Sequence, residues 1–176
     1  MKRLRLILGD QLNGNHSWFH SVDENTMYLM AEMRQETDYV KHHIQKVVGF
    51  FLAMRDFEST LKSQGHNVLY LTIDDPKNPQ DLGKILKEQI AKHAIEKFEY
   101  QLPDEYRLDQ QLKTICNDLD IPWQVFDSEH FYADREELAN FFKGKKQLLM
   151  ESFYRMMRKK HSILMINDQP EGDQWN

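Results

Sequence analysis

The sequence predicts an α/β fold: a doubly wound, five-stranded parallel sheet in the order 3-2-1-4-5, with helices on both faces and a C-terminal helical extension. Three observations carry this. Short apolar runs that read as buried strands recur five times before residue 127. Between most of them lie stretches whose apolar residues step by three and four, the period of a helix packed on a sheet. Beyond Asp127 the strand-like runs stop and only helical spacing remains. Right-handed crossovers leave few strand orders, of which 3-2-1-4-5 is the natural doubly wound one. The expected division is an α/β domain over residues 1–130 and a helical extension over 131–176.

Leu4, Leu6, Ile7 and Leu8 make the first strand, apolar at nearly every position and ended by Gly9, as expected of a strand buried on both faces. Residues 13–26 are polar without a clear period and read as a loop; His16 and His20 within it have i, i+4 spacing but no third ligand in view. Residues 27–31 are the second strand, with Glu32, Arg34, Gln35 and Glu36 just beyond. Val40, Ile44, Val47, Val48, Phe51, Leu52 and Leu61 set the apolar stripe of a long helix that Gly65 ends as a C-cap. His42 and His43 near its start point about 100° apart on a helix, which suits packing or solvation better than a shared ligand.

Residues 68–73 are the third strand, and Asn78-Pro79 has the N-cap and N1 signature of the next helix, which carries Leu82, Ile85, Leu86 and Ile90. Lys97–Gln101 alternates apolar and polar as the fourth strand. Leu102-Pro103-Asp104-Glu105 opens a helix with Leu108, Leu112, Ile115, Cys116 and Leu119 at helical spacing, and Trp123–Phe126 is the fifth strand. Cys116 therefore reads as a small core residue rather than a nucleophile. Further on, Asp134 and Glu137 resemble a capping box for a short helix ending at Gly144, residues 147–165 read as one helix, and Trp175 is left with nothing after it to pack against.

Composition excludes several classes. The chain has 176 residues, 40% hydrophobic and 29% charged, which suits one domain with a sizeable core and a short appendage. No apolar run approaches a membrane span, and the N-terminal run passes into polar residues too soon for a signal peptide. One cysteine can form neither an internal disulfide nor an iron–sulfur cluster, so a cytoplasmic location is expected. The net charge of −5 is uneven: residues 1–142 carry −8, residues 143–161 carry +6, and the remaining tail carries −3. An acidic body argues against tight nucleic-acid binding by this chain alone, although the basic stretch leaves a nucleic-acid-binding module as one alternative.

In open parallel sheets ligands bind beyond the carboxyl ends of the strands, where the order reverses. Strands one and four are the neighbours there, so the candidate crevice lies between Gly9-Asp10-Gln11 and Leu102-Pro103-Asp104-Glu105, with Glu32 and Glu36 beyond strand two. Gly9-Asp10-Gln11 would serve equally as a plain turn with an Asp cap. The stretch lacks the G-x-G-x-x-G and G-x-x-x-x-G-K-[ST] spacings, so neither a dinucleotide site nor a P-loop is supported. A crevice so rich in carboxylates would repel phosphate and suit a neutral, hydrogen-bonding heterocycle or polyol. A second alternative is a stand-alone small-molecule enzyme with Asp10 and Glu32 as its acid and base.

Several blocks resemble a known family. They are Leu6-Ile7-Leu8-Gly9-Asp10-Gln11-Leu12, Tyr39-Val40 with His42-His43, and Ala53-Met54-Arg55. Toward the C-terminus come Met150-Glu151-Ser152-Phe153-Tyr154-Arg155 with Met157-Arg158-Lys159-Lys160, then Gln169-Pro170-Glu171-Gly172 with Gln174-Trp175-Asn176. In this order they resemble the photolyase-related proteins of bacteria, the iron–sulfur branch of the photolyase and cryptochrome superfamily. The family usually reads Gly-Gly before the final x-Trp-Asn, where this chain has Gly172-Asp173.

That resemblance implies an N-terminal antenna domain holding 6,7-dimethyl-8-ribityllumazine or a similar pigment. FAD and a four-iron cluster would belong to a larger helical domain that follows in the family, and damaged DNA would be met only through the full-length protein, as a repair enzyme or a blue-light receptor. Carried onto this chain, the pigment pocket would be formed by Gly9, Asp10, Gln11 and Leu12 after strand one, by Glu32 and Glu36 after strand two, and by Phe50 on the first long helix. The fragment itself would have no catalytic residue. It would not enter a membrane, and the 147–165 helix would bury apolar surface against the following domain or pair as a homodimer.

Overall fold

Five parallel strands form one sheet in the computed structural model, ordered β3-β2-β1-β4-β5: β1 (Arg3–Leu6), β2 (Thr26–Ala31), β3 (Asn67–Leu71), β4 (Lys97–Gln101) and β5 (Trp123–Phe126). The structure describes residues 1–38 and 40–175, and the side chain of Glu36 lies outside what it describes. The chain divides into two compact units, Met1–Ser128 and Glu129–Asn176. The first has the α/β architecture and the 3-2-1-4-5 order that the sequence predicts.

Side chains alternate across each strand, and this sorts the core into two layers. On one face Leu4, Leu6, Leu29, Leu71, Phe98 and Tyr100 pack against α3 (Leu82–His93) and α4 (Tyr106–Asn117) through Leu82, Ile85, Leu86, Leu108, Leu112 and Cys116. Cys116 is buried in that layer, and burial pushes its thiol up to about 11. After the short α1 (Gln35–Asp38) comes α2 (Ile44–Ser63), and on the other face Ile7, Tyr28, Met30 and Val68 pack against it through Phe51, Met54, Phe57 and Leu61. A loop takes the place of a helix over the β1–β4–β5 side. Its buried Trp18 packs there against Phe126 with ring centroids 5.4 Å apart, while the neighbouring Phe19 packs against Tyr28 of β2 and Phe57 of α2.

His16 pins this loop. It is wholly buried, its Nδ1 accepts the Trp18 amide at 3.1 Å, and its Nε2 lies 2.9 Å from the Asp127 carbonyl. Both ring nitrogens are thus engaged, one within the loop and one with the segment after β5, and the described residues contain no cluster of three or more His, Cys, Asp or Glu placed to hold a metal ion.

Several expectations need correction. The first strand stops at Leu6, and Arg5 sits in the middle of the sheet. Its guanidinium is held by Glu99 at 2.8 Å and lies 4.8 Å from the Trp18 ring centre. Glu99 is itself buried, so the fourth strand does not alternate between core and water. Burial pushes the Glu99 carboxyl upward, but hydrogen bonds from Lys97 and Arg5, with their charge, outweigh it and hold it below its ordinary range.

The expected stripe on α2 holds only in part. Phe51 and Leu61 are buried as expected, joined by Met54 and Phe57, and Val47 packs against the same core, but Ile44, Val48 and Leu52 are exposed and Val40 precedes the helix. His43 caps the helix start by accepting the Gln45 amide, and at the other end Gly65 turns the chain with φ 93°. Helix α3 begins after Asp81, whose carboxylate accepts the Lys84 amide, and not at Asn78-Pro79. Asn78 is buried with its amide turned inward to the carbonyls of Glu32 and Thr72.

The second unit contains α5 (Glu137–Phe142), α6 (Met150–His161) and a hairpin of β6 (Met165–Ile166) and β7 (Gln169–Pro170). Asp134 does cap its helix, accepting the amides of Glu136 and Glu137. The long helix expected over 147–165 is shorter. It ends at Ser162, which takes a left-handed φ of 54°, and Arg158 folds back to donate to the carbonyls of Ile163 and Leu164. Asn167 and Asp168 both have positive φ, the requirement of a tight two-residue hairpin turn. Trp175 does have partners: its ring lies 5.2 Å from the Arg155 guanidinium, with Arg158 and Lys159 also close. Asp173, where the resembled family has glycine, is left-handed at φ 58°.

Candidate functional site

Beyond the carboxyl ends of β1 and β2 lies a narrow crevice. Its floor is Leu6, Ile7, Leu8 and Gly9 from β1 and its extension, with Ala31 and Met33 from β2. Phe50 and Met54 of α2 form one wall; Leu82 at the start of α3 and Leu108 in the first turn of α4 form the other. Asp10 and Gln35 supply the polar edges. The enclosed space is only about 40 Å³, room for a water molecule or two.

Gly9 explains both the shape and the smallness. A Cβ built on it would lie 2.3 Å from Cζ of Phe50, 2.7 Å from its Cε1 and 2.9 Å from Sδ of Met54. The Phe50 ring is therefore seated directly on the Gly9 backbone, an approach that no other residue type permits.

The crevice lies on the β2 side of β1, not between β1 and β4 as the switch-point rule suggests. Gln11 is the reason. It is buried, its Oε1 accepts the Leu8 amide at 3.1 Å, and its Nε2 donates to the carbonyls of Gln101 at 3.2 Å and Leu102 at 3.3 Å. One side chain thus staples the ends of β1 and β4 together. Leu12, next along, packs against the α2-side core and does not line the crevice.

Glu32 is fully buried and turned away from the crevice. Its carboxylate receives Nε and Nη2 of Arg55 at 2.6 and 3.0 Å, the Tyr70 hydroxyl at 2.8 Å and the Ile73 amide at 2.8 Å. Its own carbonyl accepts from Asn78 and Gln80. Burial alone would raise this carboxyl's pKa; the hydrogen bonds from Arg55, Tyr70 and Ile73, and the Arg55 charge, bring it below the ordinary value. Tyr70 is pushed the other way, first by burial and then by the carboxylate beside it.

An ionised, four-bonded carboxylate is a tie between α2, β2 and the loop after β3. It does not make an acid–base pair with Asp10, and it leaves the crevice apolar rather than carboxylate-rich. The expected role of the Glu36 side chain lies outside the described residues. Of the seven sequence-derived candidates, Gly9, Asp10 and Phe50 therefore meet at one place. Missed were Ala31, Met33, Gln35, Met54, Leu82 and Leu108. Met54 had a signal, lying one turn after Phe50; the others are brought in only by the strand order.

The open, doubly wound sheet, with a crevice beyond the carboxyl ends of its central strands, places the first unit in the open α/β class. This chain belongs to the deoxyribodipyrimidine photo-lyase-related protein family, whose profile matches residues 5–176. It is also 33% identical over 177 residues to a (6-4) photolyase of Agrobacterium fabrum (strain C58 / ATCC 33970). That similarity covers the whole of this chain and 35% of the relative, so the chain spans about a third of the curated protein it matches. No helix among the described residues is long and apolar enough to cross a membrane.

Proposed function

We propose that this chain is the N-terminal, antenna-holding domain of a photolyase-related flavoprotein, and that its ligand is a ribityllumazine or similar flat heterocycle bound in the crevice above β1 and β2. The observation that carries the proposal is the convergence of Gly9, Asp10 and Phe50 on one crevice in a chain of this family. Apolar walls suit the faces of a heterocycle, while Asp10 and Gln35 stand where a polyol tail or ring edge needs hydrogen bonds. In kind the residues match such a ligand. In volume they do not while the Phe50 ring is in place, because pockets for small molecules usually hold roughly 300–1,000 Å³.

When bound, such a pigment absorbs light and passes the excitation to a flavin. This chain's share would be to hold the ring between Gly9 and the α4 start, exclude water with Leu82 and Leu108, and fix the polar edge with Asp10 and Gln35. Light-driven repair of DNA, or blue-light sensing, would belong to a longer protein carrying FAD and a four-iron cluster. Four thiolates are needed for such a cluster, and Cys116 is the one cysteine here. Fluorescence titration of the 176-residue chain with 6,7-dimethyl-8-ribityllumazine tests the site. Saturable binding that Ala31→Phe abolishes and Asp10→Ala weakens supports it; binding indifferent to both places the ligand elsewhere.

A further inference from the structure

We infer that Phe50 is a displaceable plug: its ring occupies the space a ligand ring would take, and it must swing out before anything larger than water can enter. The inference rests on the reading of this crevice as the ligand site, and it names the residue that sets affinity and ring size there. Three features of the crevice lead to it.

The first is contact. The ring's outer edge is so close to Gly9 that even a methyl group there would overlap Cζ and Cε1. It is the ring tip, rather than the helix backbone, that fills the crevice. The second is what remains. With Phe50 seated, only about 40 Å³ is left, although eight other apolar side chains from β1, β2, α2, α3, α4 and the segments beyond the two strands line the same crevice. The third is freedom to leave. Phe50 is only partly buried, unlike Phe51, Met54 and Phe57, which carry the helix-to-sheet packing. Its neighbour Gly49 is exposed, and a Cβ there would meet nothing within 4 Å, so the flank of α2 beside Phe50 is open. A helix admits two χ1 wells for an aromatic residue, about 120° apart, and exchange between them carries the ring several ångströms.

The plug makes a quantitative demand. A site competent only when its plug is out has its affinity reduced by the fraction of time it is open. For a minor state populated at about 0.1–10%, removing the plug tightens binding by at least about tenfold. Had Phe50 been a stacking wall instead, removing it would weaken binding.

The test uses the 176-residue chain, its Phe50→Ala and Phe50→Leu variants, and two probes. The probes are 6,7-dimethyl-8-ribityllumazine, followed by fluorescence, and indole, followed by amide shifts at Gly9 and Ala31. Phe50→Leu keeps a side chain against Phe51 and Met54, so it answers if the alanine variant does not fold. The expected result is lumazine binding at least tenfold tighter in Phe50→Ala than in the parent, with a smaller gain in Phe50→Leu. Equal or weaker binding by the variants overturns the plug. Should Phe50→Ala take up indole at the crevice while no form binds lumazine, the plug stands and the pigment reading falls. If a folded variant admits neither probe, the plug is overturned.

Discussion

Replacing Glu32 tests the view that this carboxylate is structural. Glu32→Gln keeps the shape but removes the charge, and it turns its NH2 toward one of two donor pairs that now meet an oxygen, either Arg55 Nε with Tyr70 or Arg55 Nη2 with the Ile73 amide. Hydrogen bonds to a charged group contribute about 1.5–3 kcal/mol in favourable cases. Arg55 is 48% exposed, so water competes for it and its share is discounted. Relief of the carboxylate's desolvation offsets more, leaving a net loss of about 2 kcal/mol at neutral pH.

Arg55→Met should cost more, about 3 kcal/mol, because it strands a buried negative charge with two donors in place of four hydrogen bonds. The double variant should then recover part of that loss. A depressed carboxylate contributes stability that is fully present above its unfolded pKa of about 4.3 and is lost as pH falls through the lower folded value. The gap between the parent and Glu32→Gln should therefore be constant above pH ~5 and close below pH ~4. Urea unfolding across that range measures all of this. A Glu32→Gln variant within about 0.5 kcal/mol of the parent at pH 7, with an unchanged pH slope, would refute the assignment.

Gln11→Leu should cost about 2 kcal/mol and speed hydrogen exchange at Leu8, since the β1–β4 staple rests on that one amide; exchange at Leu8 as slow as in the parent would count against it. Cys116, with its thiol pushed up to about 11 by burial, should resist thiol reagents at pH 8 until the chain unfolds, and rapid native labelling would contradict its place in the core. Trp175→Ala should expose Arg155 and Lys159 to trypsin and cost about 0.5–1 kcal/mol within the second unit; unchanged cleavage would mean the tail is not held there. Leu148, Leu149 and Met150 are all exposed, and self-association through them should appear in sedimentation velocity and vanish on Leu149→Ser, whereas a monomer at all concentrations tested would remove the expected homodimer.

The fold was legible because the strands are short, apolar and separated by helix-period stretches, and because crossover handedness leaves few ways to order them. What the periodicity could not supply was phase. On α2 the residues 44, 48 and 52 and the residues 50, 51, 54, 57 and 61 are both apolar series at helical spacing. The second series, with its three phenylalanines, is the one that fills the space over Tyr28 and Met30. The hairpin after α6 was hidden for a different reason. Its turn is Asn167-Asp168, which reaches positive φ without the glycine that usually announces such a turn. Arg5 and Glu99 broke the rule that inner strands are apolar by pairing with each other across the β1–β4 register.

For the site, residue type was legible and direction was not. Gly9, Asp10, Gln11 and Glu32 all lie at strand ends where a ligand could sit, and as sequence they are equivalent candidates. Geometry separates them by what else each group must satisfy. The Leu8 amide and the two carbonyls at the end of β4 would be left with no side-chain partner if Gln11 faced a ligand, so Gln11 faces inward. Arg55 and Tyr70 converge on Glu32 in the same way. Gly9 has no side chain to commit, and so the place where the Phe50 ring can rest on the backbone is also the place where the crevice forms. The same glycine that would let a flat ring approach the backbone lets Phe50 do so first. On the proposed reading, ligand affinity is set by competition between two rings for one surface, and the residue that decides it sits on the helix rather than on the motif that ends the first strand.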